Sequence, residues 1–331
     1  MKTAKNNQTG IFQKQEIRGR WDISKWAYKW VHEQEKSRSD DDGRSFSKIP
    51  KAKKSLGQNF LIDPEALSDI AGAIEISGKH IIEVGPGYGA LTDHLIAQKP
   101  ISLDLVELDP DMVELLNSKF SEVYPVDKIQ NSKFDTNMSS ELDWSPWIFH
   151  LESWIILHHT DILRYTPIYE SYSVIANIPY YITSPILFYF LYELEISPDA
   201  MVIMMQEEVG EKILEGRARR PHHSFLSLCM EQSCEDIDRV RYVGRSSFEP
   251  APRVDSIVLR FIVKKDRNRK QEQQLIKLWK VAFAHPRKTL LSNMRWSTYS
   301  LDAVRANLIR LGYDERVRAE AMRREDWISF L

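Results

Sequence analysis

"HIIEVGPGYGALTDHLIAQ" (residues 80–98) is the stretch that decides the fold. It opens as a short apolar run, passes through Gly85, Gly87 and Gly89, and leaves as an amphipathic helical pattern. A Gly-rich turn between a strand and a helix lets a ligand approach the backbone, with the helix's first amides pointing at it. Spaced glycines alone also fit nicotinamide-cofactor folds, so the neighbouring segments have to discriminate.

Those neighbours repeat the same grammar. "ISLDLVELDPDMVELLNSKF" (101–120) is strand, acidic turn, helix, and "YSVIANIPYYITSPILFYFL" (172–191) and "DAMVIMMQEEVGEKIL" (199–214) follow suit. Strands alternating with helices imply an α/β fold with a mostly parallel sheet covered on both faces. Upstream, "DPEALSDIAGAI" (63–74) reads as a helix with Asp63 as N-cap and Pro64 at the first position. "DSIVLRFIV" (255–263) is a last strand, "KKDRNRKQEQQ" (264–274) a charged linker, and the remainder short basic helices.

Two segments stand apart. Residues 1–48 read as an appendage, with Trp21, Trp26 and Trp30 on a short amphipathic stretch followed by a charged, Ser-rich linker. Residues 121–156 read as an insertion in a βα connection. The expected organisation is therefore an extension over 1–48, an α/β domain over 49–264 carrying that insertion, and a helical domain over 265–331.

The 331 residues are 43% apolar and 28% charged, as in ordinary globular proteins. No run of apolar residues is long enough to span a bilayer, and the first residues lack an apolar signal core, which points to the cytoplasm. Cys229 and Cys234 have no His or Cys at ligand spacing, so they read as reduced thiols and no metal is expected. The net charge of −2 conceals a gradient: residues 51–195 hold 9 Lys/Arg against 21 Asp/Glu, whereas 196–331 hold 25 against 19. Basic flanks around an acidic centre suit a polyanion held from the sides.

The acids are the discriminators. Glu107, at the tip of "VELDPD", stands where a carboxylate accepts from both hydroxyls of a ribose, which dehydrogenases also do. Glu83, just before the glycines, would sit badly beside a pyrophosphate and suits a cationic cofactor such as S-adenosylmethionine. Asp161 in "HHTDILRY" reads either as a helix cap or as an acceptor for an adenine amine. "NIPY" (177–180) offers a side-chain amide, a carbonyl fixed by Pro179 and a flat aromatic at a strand's end. Asn177 and the Ile178 carbonyl can accept from a planar NH2 and free its lone pair, Tyr180 gives the base a face, and Phe248 can close the other.

At this point "LGQNFL" (56–61), "EVGPGYGALT" (83–92), "ELD" (107–109), "NIPY", "FEPAPRVDS" (248–256) and "AFAHPRKTLLSNM" (282–294) resemble, in order and spacing, the KsgA-like small-subunit rRNA adenine dimethyltransferases. The resemblance covers about residues 49–331. It implies a Rossmann-like class I methyltransferase domain with a small C-terminal all-helical domain, and S-adenosylmethionine as donor. The implied substrate is two adjacent adenines in the 3′-terminal hairpin of 16S-type rRNA, on a small subunit late in assembly, modified by a monomer. By the same resemblance Asn59, Leu61, Gly85, Glu107, Asp161 and Asn177 line the cofactor, and Asn177, Pro179, Tyr180 and Phe248 hold the adenine. Lys51, Lys53, Lys54, Arg287, Lys288 and Arg295 are the candidate phosphate contacts.

Three features depart from the family pattern: "HHSFLSL" (222–228) where a Tyr-Gly-Arg-Leu-Ser-like stretch is usual, the insertion, and the extension. None removes a catalytic position. The competing readings are a resistance-type methyltransferase acting on a large-subunit rRNA adenine, and a ribosome-assembly factor that keeps the fold. A nicotinamide oxidoreductase is disfavoured, because nothing supplies an acid or base for hydride transfer.

Overall fold

The computed structural model describes residues 51–123, 147–152, 154–217, 222–295 and 297–331. The Trp-bearing extension and linker expected over 1–48 lie outside the described residues.

Ten strands occur among the described residues: β1 (Phe60–Leu61), β2 (His80–Val84), β3 (Ser102–Glu107), β4 (Trp147–Glu152), β5 (Ile155–His159), β6 (Ser173–Asn177), β7 (Ala200–Gln206), β8 (Cys234–Val243), β9 (Phe248–Glu249) and β10 (Ser256–Val263). Eight of them form one sheet in the order β4-β5-β3-β2-β6-β7-β10-β8, and β1 pairs with β9 in a separate two-stranded ladder. The central five, β5-β3-β2-β6-β7, are parallel; β4, β10 and β8 run antiparallel to their neighbours.

Alternate residues of each central strand feed two separate cores, which is why these strands read as unbroken apolar runs. Ile82, Val174, Ile203 and Ile257 point to one layer, while Ile81, Ile175, Val202 and Val258 point to the other. The first core continues without a break into the C-terminal helices, where Trp279 and Trp327 are fully buried. The helix Pro64–Ala71 starts as its sequence indicates, with the Asp63 carboxylate accepting from the Glu65 and Ala66 amides at 3.0 and 3.2 Å. Cys229 and Cys234 are buried free thiols.

The structure corrects three expectations. Part of the insertion expected over 121–156 is sheet: Trp147–Glu152 is the edge strand β4, and β5 already begins at Ile155. The "charged linker" over 264–274 is mostly helix. Asn268 caps the helix Arg269–Ala282 through the Gln271 amide, and Arg267 makes a buried ion pair with Glu272 at 2.7 Å. Finally, β8 and the preceding helix Phe225–Ser233 have no counterpart in the sequence reading. β8 is an edge strand rich in charge, and register shifts against β10 break the period of two that would have revealed it.

Candidate active site

The C-terminal ends of β2, β3, β5 and β6 open into one cleft of about 1010 Å³. Asn59, Leu61, Gly85, Glu107, Asp161, Asn177, Pro179, Tyr180 and Phe248 all line it. These are all the positions singled out for catalysis or cofactor binding, gathered from segments spread over nearly 200 residues of chain.

The floor is the glycine turn. Gly85, Gly87 and Gly89 have φ of 66°, 55° and 73°, left-handed values that side chains resist. At Gly87 the requirement is also steric, because a Cβ there would lie 2.9 Å from the Phe60 ring. Phe60 in turn stacks on Tyr88 with ring centroids 3.9 Å apart.

Two carboxyls flank this floor. Glu107 accepts from the Gly87 amide at 3.3 Å through one oxygen and from the Leu108 and Asp109 amides at 2.8 Å through the other. Burial nevertheless pushes its pKa up to about 7, against the pull of those three amides. Glu83 is 1% exposed and accepts from the Thr92 hydroxyl at 2.7 Å. Burial pushes it further, up to about 8. Acids raised in this way by burial cluster at functional sites.

Asp161 is a cap, and it also faces the cleft. One oxygen caps the turn Ile162–Arg164 through the Leu163 amide at 3.0 Å.

β2 and β6 are parallel neighbours with Val84 opposite Ala176, so the Asn177–Tyr180 turn lies against the glycine turn. A Cβ on Gly85 would sit 3.5 Å from the Ile178 side chain and 3.7 Å from the Asn177 carbonyl. Asn177 ends β6 opposite Met204, and its side-chain amide lines the cleft. Tyr180 is tethered by its hydroxyl to Ser256 at 2.7 Å, and burial raises its pKa. Phe248 is buried, and its backbone pairs with Leu61 in the β1–β9 ladder. The strap 51–61 and the Phe248 segment thus meet along one wall of the cleft.

The basic candidates divide. Lys51 and Lys54 are exposed at the cleft's rim, and Arg287, Lys288 and Arg295 are exposed on the C-terminal helical region, away from the cleft. Lys53 is already engaged: its ammonium lies 2.5 Å from Asp109 and 2.7 Å from Asp111.

Sequence reading missed several contributors. Lys119, 3% exposed, sits beneath the glycine turn and donates to the Tyr88 and Gly89 carbonyls and to Asp93 at 3.2, 3.0 and 2.7 Å. Nothing in its local sequence marks it; only the packing of the helix Pro110–Val123 under the turn does. Tyr181 also lines the cleft at 65% exposure, against Gly57 and Pro179. Its signal was the doubled aromatic after Pro179.

Sheet order, glycine turn and paired acids define a Rossmann-like class I methyltransferase domain. Residues 49–331 match the family model described as ribosomal RNA adenine dimethylase, and the chain belongs to that family. It is 33% identical over 279 residues to ribosomal RNA small subunit methyltransferase A of Mycoplasmopsis pulmonis, covering 84% of this chain and 97% of that one. To the protein of the same name from Geobacter sulfurreducens it is 32% identical over 285 residues, covering 84% and 94%. Among solved structures, a dimethyladenosine transferase from Plasmodium falciparum superposes with a TM-score of 0.61 at 20% identity, over 82% of this chain and 96% of that one. The 23S rRNA methyltransferase ErmE superposes with a TM-score of 0.59 at 22% identity, over 82% and 98%. These two likenesses establish the shared fold.

Proposed function

We propose that this protein transfers methyl groups from S-adenosylmethionine to the exocyclic amines of two adjacent adenines in the 3′-terminal hairpin of small-subunit rRNA, late in ribosome assembly. We place it in the cytoplasm, acting as a monomer on the small subunit. The observation that carries the reading is the abutment of the Asn177–Tyr180 turn on the glycine turn, with Glu83 and Glu107 beside it. The match to small-subunit relatives over nearly their full length favours this substrate over a large-subunit adenine.

The donor site fits its cofactor on chemistry. Gly85 and Gly87 bring backbone without a Cβ to the cleft, Glu107 has carboxylate oxygens suited to ribose hydroxyls, and Glu83 lines the cleft with a carboxyl that a cationic head would ionise. S-adenosylmethionine, when bound, supplies an electrophilic methyl group. Asn59, Leu61, Gly85, Glu107, Asp161 and Asn177 would hold it.

The rest is positioning by the chain. An adenine amine is a poor nucleophile because its lone pair is delocalised into the ring. The Asn177 side-chain oxygen and the Ile178 carbonyl accept its N–H groups and draw the nitrogen towards tetrahedral geometry. Tyr180, held by Ser256, and Phe248 enclose the base. No strong general base is required, since an alkylated ammonium is a strong acid and gives its proton to water. Lys51, Lys54, Arg287, Lys288 and Arg295 contact phosphates outside the cleft.

The test is methyl transfer from labelled S-adenosylmethionine to unmethylated small subunits and, separately, to protein-free large-subunit rRNA, with the product nucleoside identified. Dimethyladenosine in the small subunit alone is the expected result. Label in the large-subunit RNA would make this a resistance-type enzyme, and binding without label in either would leave an assembly factor.

A further inference from the structure

The strap 51–61 lines one wall of the cleft and is fastened at both ends. At one end, Phe60 and Leu61 pair with Glu249 and Phe248. At the other, the fastening converges on one carboxylate. Asp109 is fully buried, and its Oδ1 takes the Lys53 ammonium at 2.5 Å and the Asp111 amide at 3.0 Å. Its Oδ2 takes the Gln58 side-chain amide at 2.8 Å. The Gln58 carbonyl oxygen accepts from the Lys53 amide at 2.8 Å, which closes the strap's own turn, and Lys53 reaches on to Asp111. The Asp109 amide meanwhile donates to Glu107 at 2.8 Å.

One group therefore holds both sides of the cofactor's place: the strap that carries Asn59 and Leu61, and the acid suited to its ribose. Asp109 and Lys53 lie two residues from Glu107 and six from Asn59, and the Lys53 ammonium is already shared between the Asp109 and Asp111 carboxylates. We propose that Lys53 and Asp109 are positioning residues for the methyl donor, latching the strap closed over it, and that Lys53 is not a phosphate contact. This rests on the reading of the cleft as the donor site. A strap already ordered before the ligand arrives spares binding the entropy of ordering it, so the latch acts on donor affinity. A partly exposed ion pair is also screened by salt, so the effect must fade as salt rises.

The experiment is calorimetric titration of the full chain with S-adenosylhomocysteine, without RNA, at low and high potassium chloride. The wild type, Lys53→Met, Lys53→Arg and Asp109→Asn proteins are compared. Lys53→Met is expected to weaken binding roughly three- to ten-fold at low salt. It should also lose the salt dependence that the wild type shows, and Lys53→Arg, which can still reach both carboxylates, should restore both. Lys53 is partly exposed, so Lys53→Met should remain folded, and melting curves of all four proteins check this; Asp109→Asn should weaken donor binding as Lys53→Met does. Wild-type ligand affinity in Lys53→Met, with weakened binding of a hairpin RNA, would overturn the latch and make Lys53 a phosphate contact. A wild-type protein that binds no S-adenosylhomocysteine would overturn the donor-site reading itself.

Discussion

Donor binding should expel protons, and the amount is calculable from the two buried acids. Without a ligand, burial holds Glu107 near 7 and Glu83 near 8, so at pH 6 both carry a proton in most molecules. Ribose hydroxyls donate to an ionised Glu107, and a cationic head stabilises an ionised Glu83, so the bound state favours both carboxylates. Each group then penalises binding by the cost of ionising it, a factor of about ten for every pH unit below its free pKa. From pH 9 down to pH 6 that amounts to about ten-fold for Glu107 and about a hundred-fold for Glu83, so roughly a thousand-fold together. Glu83→Gln should leave only the smaller part.

The assay is titration with S-adenosylmethionine between pH 6 and pH 9, in buffers of different ionisation enthalpy so that released protons are counted. The free ligand's amine is the same in both titrations, so the difference between wild type and Glu83→Gln reports Glu83 together with its pairing to the cationic head. A pH profile that is flat, or the same in both, would refute the reasoning. The sign for stability is opposite. Both folded pKa values are raised, so the ligand-free protein is favoured below about pH 4.5 by these groups and loses that contribution as pH rises through about 7 and then 8. Its melting temperature should respond accordingly, less so in Glu83→Gln.

Asn177→Ala should cut methyl transfer by about a hundred-fold or more while leaving the melting temperature nearly unchanged; wild-type turnover would defeat the amine-activation argument. Gly87→Ala forces a Cβ against Phe60 at a left-handed φ of 55°, so calorimetry should show weakened donor binding. Lys119→Met strands Asp93 and leaves the Tyr88 and Gly89 carbonyls without their lysine, so denaturant unfolding should show a loss of about 3–5 kcal/mol.

What could be seen in the sequence follows from which forces act locally. The helix at Pro64 announced itself because an N-cap and a first-position proline are neighbours in the chain. Gly85, Glu107, Asp161 and Asn177 were visible because they end or closely follow apolar strands of a parallel sheet, whose carboxyl ends face one crevice. β8 was hidden because an edge strand needs an apolar face on one side only, and its bulges scramble even that. Lys119 and Asp109 were hidden for a different reason. Each is a charge made acceptable by partners 26 to 56 residues away, and no local pattern encodes such a partner. The same holds for Arg267 and Glu272: five residues apart and read as a solvated linker, they form a buried pair because the helix cap at Asn268 turns them inward.

The charge distribution makes sense on the proposed reading. Among the described residues the cleft is lined by Glu83, Glu107, Asp111, Glu114, Asp161 and Glu249 against Lys51 and Lys54. An acidic lining repels phosphate, the opposite of what a protein acting on RNA would be expected to need. But only a neutral base has to enter, and the donor it meets is a cation. An acidic cleft admits adenine and donor while keeping the sugar–phosphate chain outside, where the exposed Arg287, Lys288 and Arg295 of the basic C-terminal region stand. Repulsion at the centre and attraction at the flank together favour one approach, base first, with the nucleotide turned out of its stack. Placing basic residues inside the cleft would raise RNA affinity and lose that orientation.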